Sequence, residues 1–312
     1  MAILICGSMA YDNIMVFPGR FKDQILPDQI HILNVAFLVP EMRQEFGGCA
    51  GNVAYNLRLL DEAPLIMATV GRDFDAYRGW LEQQGLERRF IQQIDDTRTA
   101  QAYITTDLDD NQITAFHPGA MDHAHVNAVP GDAGIKLGMV SPDGRQAMLD
   151  HASQFAAAGI PFIFDPGQGL PMFDGEELTR FVDQATWVVV NDYEGQMLAD
   201  RTGLSHEAIA ERVSAFVVTR GGEGSVIYVD GDRLEIPAVE PARISDPTGC
   251  GDAYRAGLLY GLGRDWPWAD TGRLAALIGA RKIEEQGTQN HRFSRESLAR
   301  EFVQAFGYAI EL

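Results

Sequence analysis

The chain contains little cysteine. Its 312 residues include three cysteines, Cys6, Cys49 and Cys250, which lie far apart and form no C-x-x-C pair. A disulfide framework and a zinc knuckle both require closely or regularly spaced cysteines, so this distribution excludes both classes. The three thiols suit a reducing compartment.

Basic residues are scarce relative to acidic ones. Lys and Arg total 25 against 44 Asp and Glu, which gives a formal net charge of −19 and a pI of about 4.6. No stretch gathers Lys and Arg into a basic stripe, so we expect no nucleic-acid partner. The negative electrostatic field of the whole protein would also oppose the binding of an anionic phosphate donor. Such a donor would therefore need local positive charge from backbone amides and Mg²⁺.

Long apolar runs are also missing. Residues 160–164 and 187–190 are among the longest and are far too short to cross a bilayer, and no secretory leader pattern opens the sequence. We therefore expect a cytoplasmic protein with no membrane partner. With 46% hydrophobic residues, the chain can bury one large core.

Short apolar segments alternate with helical patterns over most of the chain, which predicts an α/β fold with a mostly parallel sheet covered on both faces. The extended segments of this alternation are residues 1–7, 65–70, 134–140, 161–165, 187–191 and 215–219, followed by a hairpin over 225–236. Extended segments at 13–17 and 30–39 and a hairpin over 100–116 do not fit the alternation. They predict a small β-sheet lid, formed by segments 12–39 and 98–117 and inserted into a single domain over residues 1–312.

The most informative motif is DPTGCGD, residues 246–252, which leads into an apolar helical pattern. Glycines at a helix start leave the amides of Gly249, Cys250 and Gly251 directed outward, where the helix dipole favours an anion. Asp252 follows at once, and its carboxylate suits a base that accepts a hydroxyl proton while a phosphoryl group binds the amides. Read alone, the motif is equally a capped helix after an Asp-Pro turn.

Two features near the N-terminus suit a hydroxyl-rich ligand. Gly48 opens the first long helix and permits close approach, and Asn52 places an amide in its first turns. Asp12 follows the first strand, where parallel sheets bind ligands. The alternatives are tight helix packing for the glycine and a helix cap for Asp12.

Strand ends in the second half carry further polar residues. Asn191 and Glu194 stand three apart after a buried strand, so they suit either a Mg²⁺ that keeps its waters or a helix capping box. Residues 219–224, TRGGEG, form a glycine-rich strand end that is, read alone, a turn. Neither the P-loop pattern nor G-x-G-x-x-G occurs, so a P-loop NTPase and a standard Rossmann dehydrogenase lose support.

Taken together and in this order, these motifs resemble the ribokinase-like (PfkB) carbohydrate kinase family over nearly the whole chain. Residues 71–75 resemble its Gly-x-Asp-x-Phe-Gly region, with Asp75 in place of the last glycine. Residues 285–293, EQGTQNHRF, resemble the adenosine-kinase-like nucleoside kinases of bacteria and archaea. The resemblance implies a three-layer α/β/α domain with a β lid, which transfers the γ-phosphoryl group of ATP to a primary hydroxyl.

The resemblance also implies roles for single residues. The acceptor side comprises Asp252 as the base, Gly249, Cys250 and Gly251 as the anion hole, and Asp12, Gly48 and Asn52 on the sugar hydroxyls. The donor side comprises Asn191, Thr219, Gly221 and Gly224 at the ATP site, with Glu194 holding Mg²⁺ through water. Asp246 and Thr248 resemble the family's monovalent-cation loop, which implies K⁺ as a further cofactor.

The acceptor pocket separates the competing functions. A nucleoside kinase acting on the 5′-hydroxyl of adenosine, inosine, guanosine or cytidine needs apolar walls, which Tyr103 and Phe116 of the lid would supply. Asp165 and Gln168 are candidates for polar contacts there. A ribokinase or related sugar kinase would use the same Asp252, whereas a non-catalytic sensor has no need of it. The expected partners are a small-molecule nucleoside and ATP, bound to a monomer or a homodimer.

Cys250 stands where this family usually has alanine. A thiol at a helix N-terminus is expected to have a lowered pKa. We therefore expect alkylation of Cys250 to inactivate the enzyme and ATP to protect it.

Overall fold

The computed structural model describes residues 2–25, 32, 34–109 and 111–312. The strands, in chain order, are β1 (Ile3–Cys6), β2 (Ala10–Val16), β3 (Glu41–Gly47), β4 (Leu65–Gly71), β5 (Glu87–Ile94), β6 (Ala100–Thr106), β7 (Gln112–His117), β8 (Leu137–Val140), β9 (Phe162–Phe164), β10 (Trp187–Asn191), β11 (Ala215–Thr219), β12 (Ser225–Val229) and β13 (Asp232–Ile236). The α-helices are α1 (Phe21–Gln24), α2 (Cys49–Leu59), α3 (Asp75–Gln84), α4 (Arg145–Ala158), α5 (Gly175–Gln184), α6 (Asp192–Thr202), α7 (His206–Ala210), α8 (Cys250–Leu262), α9 (Trp268–Ile283) and α10 (Arg295–Phe306). Within the described ranges, 3-10 turns also lie at Gly119–Val126, Gly167–Met172 and Gly221–Glu223.

The larger sheet has the strand order β13-β12-β11-β10-β9-β8-β1-β4-β5. Neighbours from β5 to β11 pair in parallel, and β12 and β13 complete the far edge as antiparallel strands. After β1, the chain adds β4 and then β5 on one side of β1, and it later adds β8 on the other side. The direction in which strands are added therefore reverses beside β1. The crevice at the carboxyl ends of β1 and β8 is therefore the place where such sheets bind ligands.

Apolar clusters on both faces of this sheet form the core. Ile3 and Ile5 of β1 pack with α2, α3 and α8 to α10, whereas Leu4 and Cys6 pack with α4 to α7. This division follows from the two-residue repeat of a strand that is buried on both faces. The predicted three-layer α/β/α arrangement is confirmed.

A second sheet, in the order β3-β2-β6-β7, forms the predicted lid. β6 and β7 are the predicted hairpin, β2 pairs with β6 in parallel, and β3 is the antiparallel partner of β2. The strand predicted over 30–39 is wrong where the structure describes it, since residues 32 and 34–39 contain no strand; the rest of that segment lies outside the described residues. The strand of this region is β3, which follows that segment. Glu41, Arg43 and Glu45 alternate along β3 and line one of its faces, so its sequence looks polar although it forms a strand.

Two predictions concern the chain as a whole. Among the described residues, no helix combines the length and the apolar character that crossing a membrane requires. The assignment of residues 1–312 to a single domain stays a prediction.

Candidate active site

The motif at residues 246–252 forms the turn that opens α8. Gly249 precedes the helix with φ +82°, which residues with a side chain rarely adopt, and α8 begins at Cys250. The Cys250 N–H donates to the Pro247 carbonyl at 3.2 Å, whereas the N–H groups of Gly249 and Gly251 have no acceptor within the described part of the chain. Two of the three predicted amides are thus available to bind an anion.

Asp252 lies in the first turn of α8, half-buried beside α2. Its Oδ2 accepts a hydrogen bond of 2.8 Å from Nδ2 of Asn52. Burial raises the pKa of Asp252 to about 6; Asp165 adds to the rise, while Asn52, Arg255 and Cys49 oppose it. The carboxylate is therefore mostly ionised near neutral pH and still able to accept a proton, as a general base requires.

A buried ion pair lies behind Asp252. Nη2 of Arg255 donates to Oδ1 of Asp165 at 2.6 Å, and Nε lies 2.5 Å from Oδ2, so both oxygens of Asp165 contact the guanidinium rather than an acceptor pocket as predicted. Nη1 of Arg255 donates to the Gly251 carbonyl at 3.1 Å, and Nη2 lies 3.9 Å from Oε2 of Glu194. A Cβ on Gly251 would come within 2.9 Å of Nη1, so this glycine of the anion hole also makes room for Arg255.

Asn52 is fixed by partners on both sides of its amide. Nε2 of Gln289 donates to Oδ1 of Asn52 at 3.0 Å and to the hydroxyl of Tyr77 at 2.6 Å. Because Nδ2 of Asn52 donates to Asp252, the amide predicted to bind the sugar is oriented toward the base. Its contact with sugar hydroxyls stays a prediction.

The lid places its predicted residues on two different faces. Asp12 pairs in register with Ala102, and Ala102 with Phe116, so Asp12 and Phe116 share one face. Tyr103 follows Ala102 along β6 and therefore lies on the opposite face, where its hydroxyl donates to Oε1 of Gln101 at 2.7 Å. This alternation separates Tyr103 from Asp12 and Phe116, and the contact of Tyr103 with an acceptor stays a prediction.

Asp12 faces the acidic side of the site. Burial raises the pKa of Asp12 to about 7, and the carboxylates of Asp252, Asp246 and Glu45 contribute to the rise. Its oxygens surround Gly47, where a Cβ would lie 2.3 Å from Oδ2. A carboxyl group that is half ionised near neutral pH can donate to and accept from hydroxyl groups, which suits the predicted sugar contact.

Gly48 and Gln168 follow β3 and β9, respectively. Gly48 has φ +87°, and a Cβ there would lie 2.6 Å from Cα of Met9, so close packing of α2 on the segment after β1 requires the glycine. Gln168 lies in the 3-10 turn after β9 and is exposed. The contacts of both residues with an acceptor stay predictions.

The donor-side residues gather at the carboxyl ends of β10 and β11, where Asn191 and Thr219 are register partners. The Glu194 N–H donates to Oδ1 of Asn191 at 2.7 Å and the Asn191 N–H donates to Oε2 of Glu194 at 2.8 Å, so these two residues form a capping box. Gly221 and Gly224 form the turn after β11, with a 3.1 Å bond from the Gly224 N–H to the Gly221 carbonyl. The four predicted ATP-site residues thus lie along neighbouring strand ends, and their nucleotide contacts stay predictions.

The chemistry around Glu194 fits Mg²⁺. Burial and Asp165 raise the pKa of Glu194, whereas Arg255 opposes the rise. Carboxylate and amide oxygens are the donors that Mg²⁺ prefers, and this ion usually keeps several waters. Within the described ranges, no group of three His, Cys, Asp or Glu side chains is placed to hold a metal ion directly.

The predicted monovalent-cation loop does not fit a free cation. Oδ1 of Asp246 accepts from the Thr248 N–H and Oδ2 from the Gly287 N–H, each at 2.9 Å. The Asp246 carbonyl accepts a 2.8 Å bond from Nζ of Lys282, and the same ammonium donates to the Glu285 carbonyl at 3.1 Å. The carboxylate and the carbonyl of Asp246 are thus already bound, and the carbonyl is bound by a cationic side chain.

The expectation that Cys250 is a low-pKa thiol is wrong. Burial raises its pKa to about 11; Lys282 opposes the rise, and Asp246 and Asp252 add to it. A helix N-terminus does not offset burial beside two carboxylates.

Sequence reasoning missed Arg255, Lys282 and Gln289. Arg255 offered a signal, because a charged residue inside the apolar stretch 253–262 must find a buried partner. Lys282 resembles an ordinary cation at a helix C-terminus. Gln289 lies within the segment 285–293 that carries the family resemblance, but no role was predicted for it.

Comparison with known proteins defines the class. Residues 9–294 match the pfkB family of carbohydrate kinases, so the chain belongs to this family, and the predicted family is confirmed. The protein is accordingly a phosphotransferase with an alcohol acceptor.

Within this class, the chain is similar to several nucleoside kinases. The chain is 52% identical to the nucleoside kinase of Burkholderia thailandensis solved in complex with inosine, with a TM-score of 0.91 over 98% of this chain and 99% of that one. That protein has also been solved in complex with ADP-inosine. The nucleoside kinase of Methanocaldococcus jannaschii has a TM-score of 0.89 at 26% identity, covering 97% of this chain and 98% of that one. The nucleoside kinase of Methanothermobacter thermautotrophicus is 31% identical over 311 residues, which are 98% of this chain and 97% of the relative. The predicted similarity to bacterial and archaeal nucleoside kinases is confirmed.

Proposed function

We propose that this chain is an ATP-dependent nucleoside kinase, which transfers the γ-phosphoryl group of ATP to the 5′-hydroxyl of a ribonucleoside such as adenosine, inosine, guanosine or cytidine. The observation that carries the proposal is at the start of α8, where the Asp252 carboxylate, held by Asn52, follows the unpaired amides of Gly249 and Gly251 within the described residues. The inosine complex of the Burkholderia relative supports a nucleoside as the acceptor.

Asp252 acts as the general base. Its pKa of about 6 lets it accept the 5′-hydroxyl proton as that oxygen attacks the γ-phosphorus and the bond to the leaving ADP oxygen breaks. The N–H groups of Gly249 and Gly251, together with the N-terminal end of α8, stabilise negative charge on the transferred group. The 2.8 Å bond from Asn52 fixes the orientation of the carboxylate.

The acceptor lies between the lid and the carboxyl ends of the strands. Asp12, Gly48 and Asn52 bind the sugar hydroxyls, and Phe116, on the same lid face as Asp12, supplies an apolar wall for the base. Gln168, exposed after β9, is the polar group for the base.

ATP lies along the ends of β10 and β11, against Asn191, Thr219, Gly221 and Gly224. When bound through water by Glu194, Mg²⁺ neutralises phosphate charge. This local cation suits a chain whose net charge of −19 opposes a polyanionic ligand.

A ribokinase or related sugar kinase is the second candidate. The position of Tyr103 on the far face of the lid favours it, because one of the two aromatic walls predicted for a base is absent from the Asp12 face. Both candidates use the same base and anion hole, so only the acceptor preference separates them.

The test is an ADP-release assay with ATP and Mg²⁺ across the four nucleosides and free ribose. We expect nucleosides to be preferred and Asp252→Asn to lower kcat by about 10²-fold to 10⁴-fold. The matched control is Asp75→Asn, which neutralises an exposed first-turn aspartate of α3 and should leave kcat unchanged. Ribose preferred over every nucleoside would favour the sugar kinase, and an Asp252→Asn variant as active as the parent would remove the base assignment.

A further inference from the structure

Lys282 carries a charge into the protein interior next to the anion hole. It belongs to the last turn of α9 and is 0% exposed. A buried ammonium is costly unless its hydrogen bonds are satisfied, and Lys282 donates to the backbone carbonyls of Asp246 at 2.8 Å and Glu285 at 3.1 Å. Backbone carbonyls that replace water around a cation are the usual surroundings of a bound monovalent ion.

The surrounding backbone is folded around this ammonium. The Ile283 carbonyl at the end of α9 accepts from the N–H groups of Ser245 at 2.9 Å and Asp246 at 3.1 Å, so the loop before α8 caps α9. The Gly287 N–H donates to Oδ2 of Asp246 at 2.9 Å and joins the segment after α9 to the same loop. A cation is favoured at a helix C-terminus, so Lys282 stabilises both the helix end and the loop.

The ammonium also contributes to the field at the phosphate site. Lys282 holds the loop at Asp246, and the chain reaches Gly249 and Cys250 of the anion hole within four residues. Its charge acts on the thiol of Cys250 and on the carboxylate of Asp252. A cation at this position therefore both fixes the entry to α8 and favours an anion there.

We propose that Lys282 is a built-in substitute for the monovalent cation: its ammonium fills the cation position of the 246–248 loop, so this kinase requires no K⁺. The inference rests on the kinase activity of the family and not on which acceptor is preferred. A tethered ammonium is present in every folded molecule, so the order of the loop does not depend on the K⁺ concentration, as it would with a dissociable ion.

The first measurement uses the parent protein in KCl, NaCl and choline chloride at matched ionic strength. We expect the rate of ADP release to agree within about twofold and the melting temperature within about 1 °C across the three salts, because no site remains for K⁺ to fill. A K⁺-specific activation of about fivefold or more, or a K⁺-specific rise in the melting temperature, would overturn the proposal.

Two substitutions of Lys282 test the position itself. Lys282→Ala leaves room for an ion beside the two carbonyls, whereas Lys282→Met fills the space without a charge. In choline chloride both variants should melt lower and turn over more slowly than the parent. In Lys282→Ala, K⁺ or NH₄⁺ should raise the melting temperature by about 2–4 °C and recover activity; Lys282→Met should not respond.

The matched control is Lys22→Ala, which removes an exposed lid lysine paired with Asp109 at 2.7 Å and should show no K⁺ response. A folded Lys282→Ala without any response to K⁺ would contradict the proposal. If that variant does not fold, the salt comparison on the parent still decides. If the parent phosphorylates no acceptor tested, the proposed function fails, and the melting temperatures still test Lys282.

Discussion

The hydrogen bond from Asn52 to Asp252 should set the pH at which the kinase loses activity. The bond is 2.8 Å long, and a hydrogen bond to a charged group stabilises it by about 1.5–3 kcal/mol. One pKa unit corresponds to about 1.4 kcal/mol. Removing the bond by Asn52→Ala should therefore raise the pKa of Asp252, about 6 in the parent, by about 1–2 units, since the amide N–H stabilises the ionised carboxylate.

The assay is the pH dependence of kcat/KM, which reports the ionisation of the free enzyme. Because a general base must be ionised, activity falls as the pH drops through the pKa of Asp252. We expect the acidic limb near pH 6 in the parent and between about pH 7 and 8 in Asn52→Ala. The prediction concerns the pH of the acidic limb and not the height of the profile, because loss of a sugar contact would lower kcat/KM equally at every pH.

Asn56→Ala is the matched control. Asn56 is a buried amide one turn further along α2, and its Nδ2 donates to the Asn52 backbone carbonyl at 2.9 Å without contacting Asp252. Its variant should keep the limb near the parent value. An Asn52→Ala profile that is lower at every pH but has an unmoved limb would refute the coupling between the amide and the base.

Three further outcomes follow from buried groups. Burial raises the pKa of Asp143 to about 8, so the parent loses stability as the pH rises from the unfolded pKa of this group toward 8. Relative to the parent, Asp143→Asn should therefore gain about 2 kcal/mol in unfolding free energy between pH 6 and 8, measured by urea titration. A difference in unfolding free energy between the two proteins that stays constant over this pH range would contradict the prediction. Because the pKa of Cys250 is about 11, its thiol should react with iodoacetamide at least about 100-fold more slowly than glutathione does at about pH 7.5. Mass spectrometry would follow the labelling. A labelling rate equal to that of glutathione would restore the expectation of a low pKa. Arg255→Met should lower kcat by about 10-fold to 100-fold, because the substitution leaves Asp165 unpaired and loosens the turn at the anion hole. The control Arg264→Met, which breaks an ion pair just past the other end of α8, should change kcat by less than about twofold. Equal effects of the two substitutions on kcat would indicate that Arg255 has a purely structural role.

The main sheet was predictable because its strands are buried on both faces. Continuous apolar runs bounded by polar residues place β10 and β11 at the expected residues, Trp187–Asn191 and Ala215–Thr219. Strand β8 was expected from residue 134 but begins at Leu137, because Gly134 has φ +68° and does not continue an extended strand. Strand β3 escaped prediction because its charged face resembles a loop.

In the candidate site, features that depend on neighbouring residues were predictable from the sequence, whereas features that depend on tertiary contacts were not. The turn at Gly249 and the capping box of Asn191 and Glu194 depend on residues close in sequence, so motif spacing was sufficient to find them. The pairing of Arg255 with Asp165 joins residues 90 positions apart, and its geometry exists only in the folded chain. The high pKa of Cys250 is likewise set by burial, which no local pattern reports.

Two buried cations explain how so acidic a chain can bind a phosphate donor in the proposed function. Arg255 donates to the Gly251 carbonyl and Lys282 to the Asp246 carbonyl, so they hold the first turn of α8 and the loop before it. Asp165 neutralises much of the charge of Arg255, whereas Lys282 donates to carbonyl oxygens and keeps more of its field for the anion hole. In a low-dielectric interior such a nearby charge outweighs distant surface carboxylates that solvent screens. The net charge of −19 therefore argues against a long polyanion spread over the surface and leaves a single nucleotide at this turn compatible with the electrostatics.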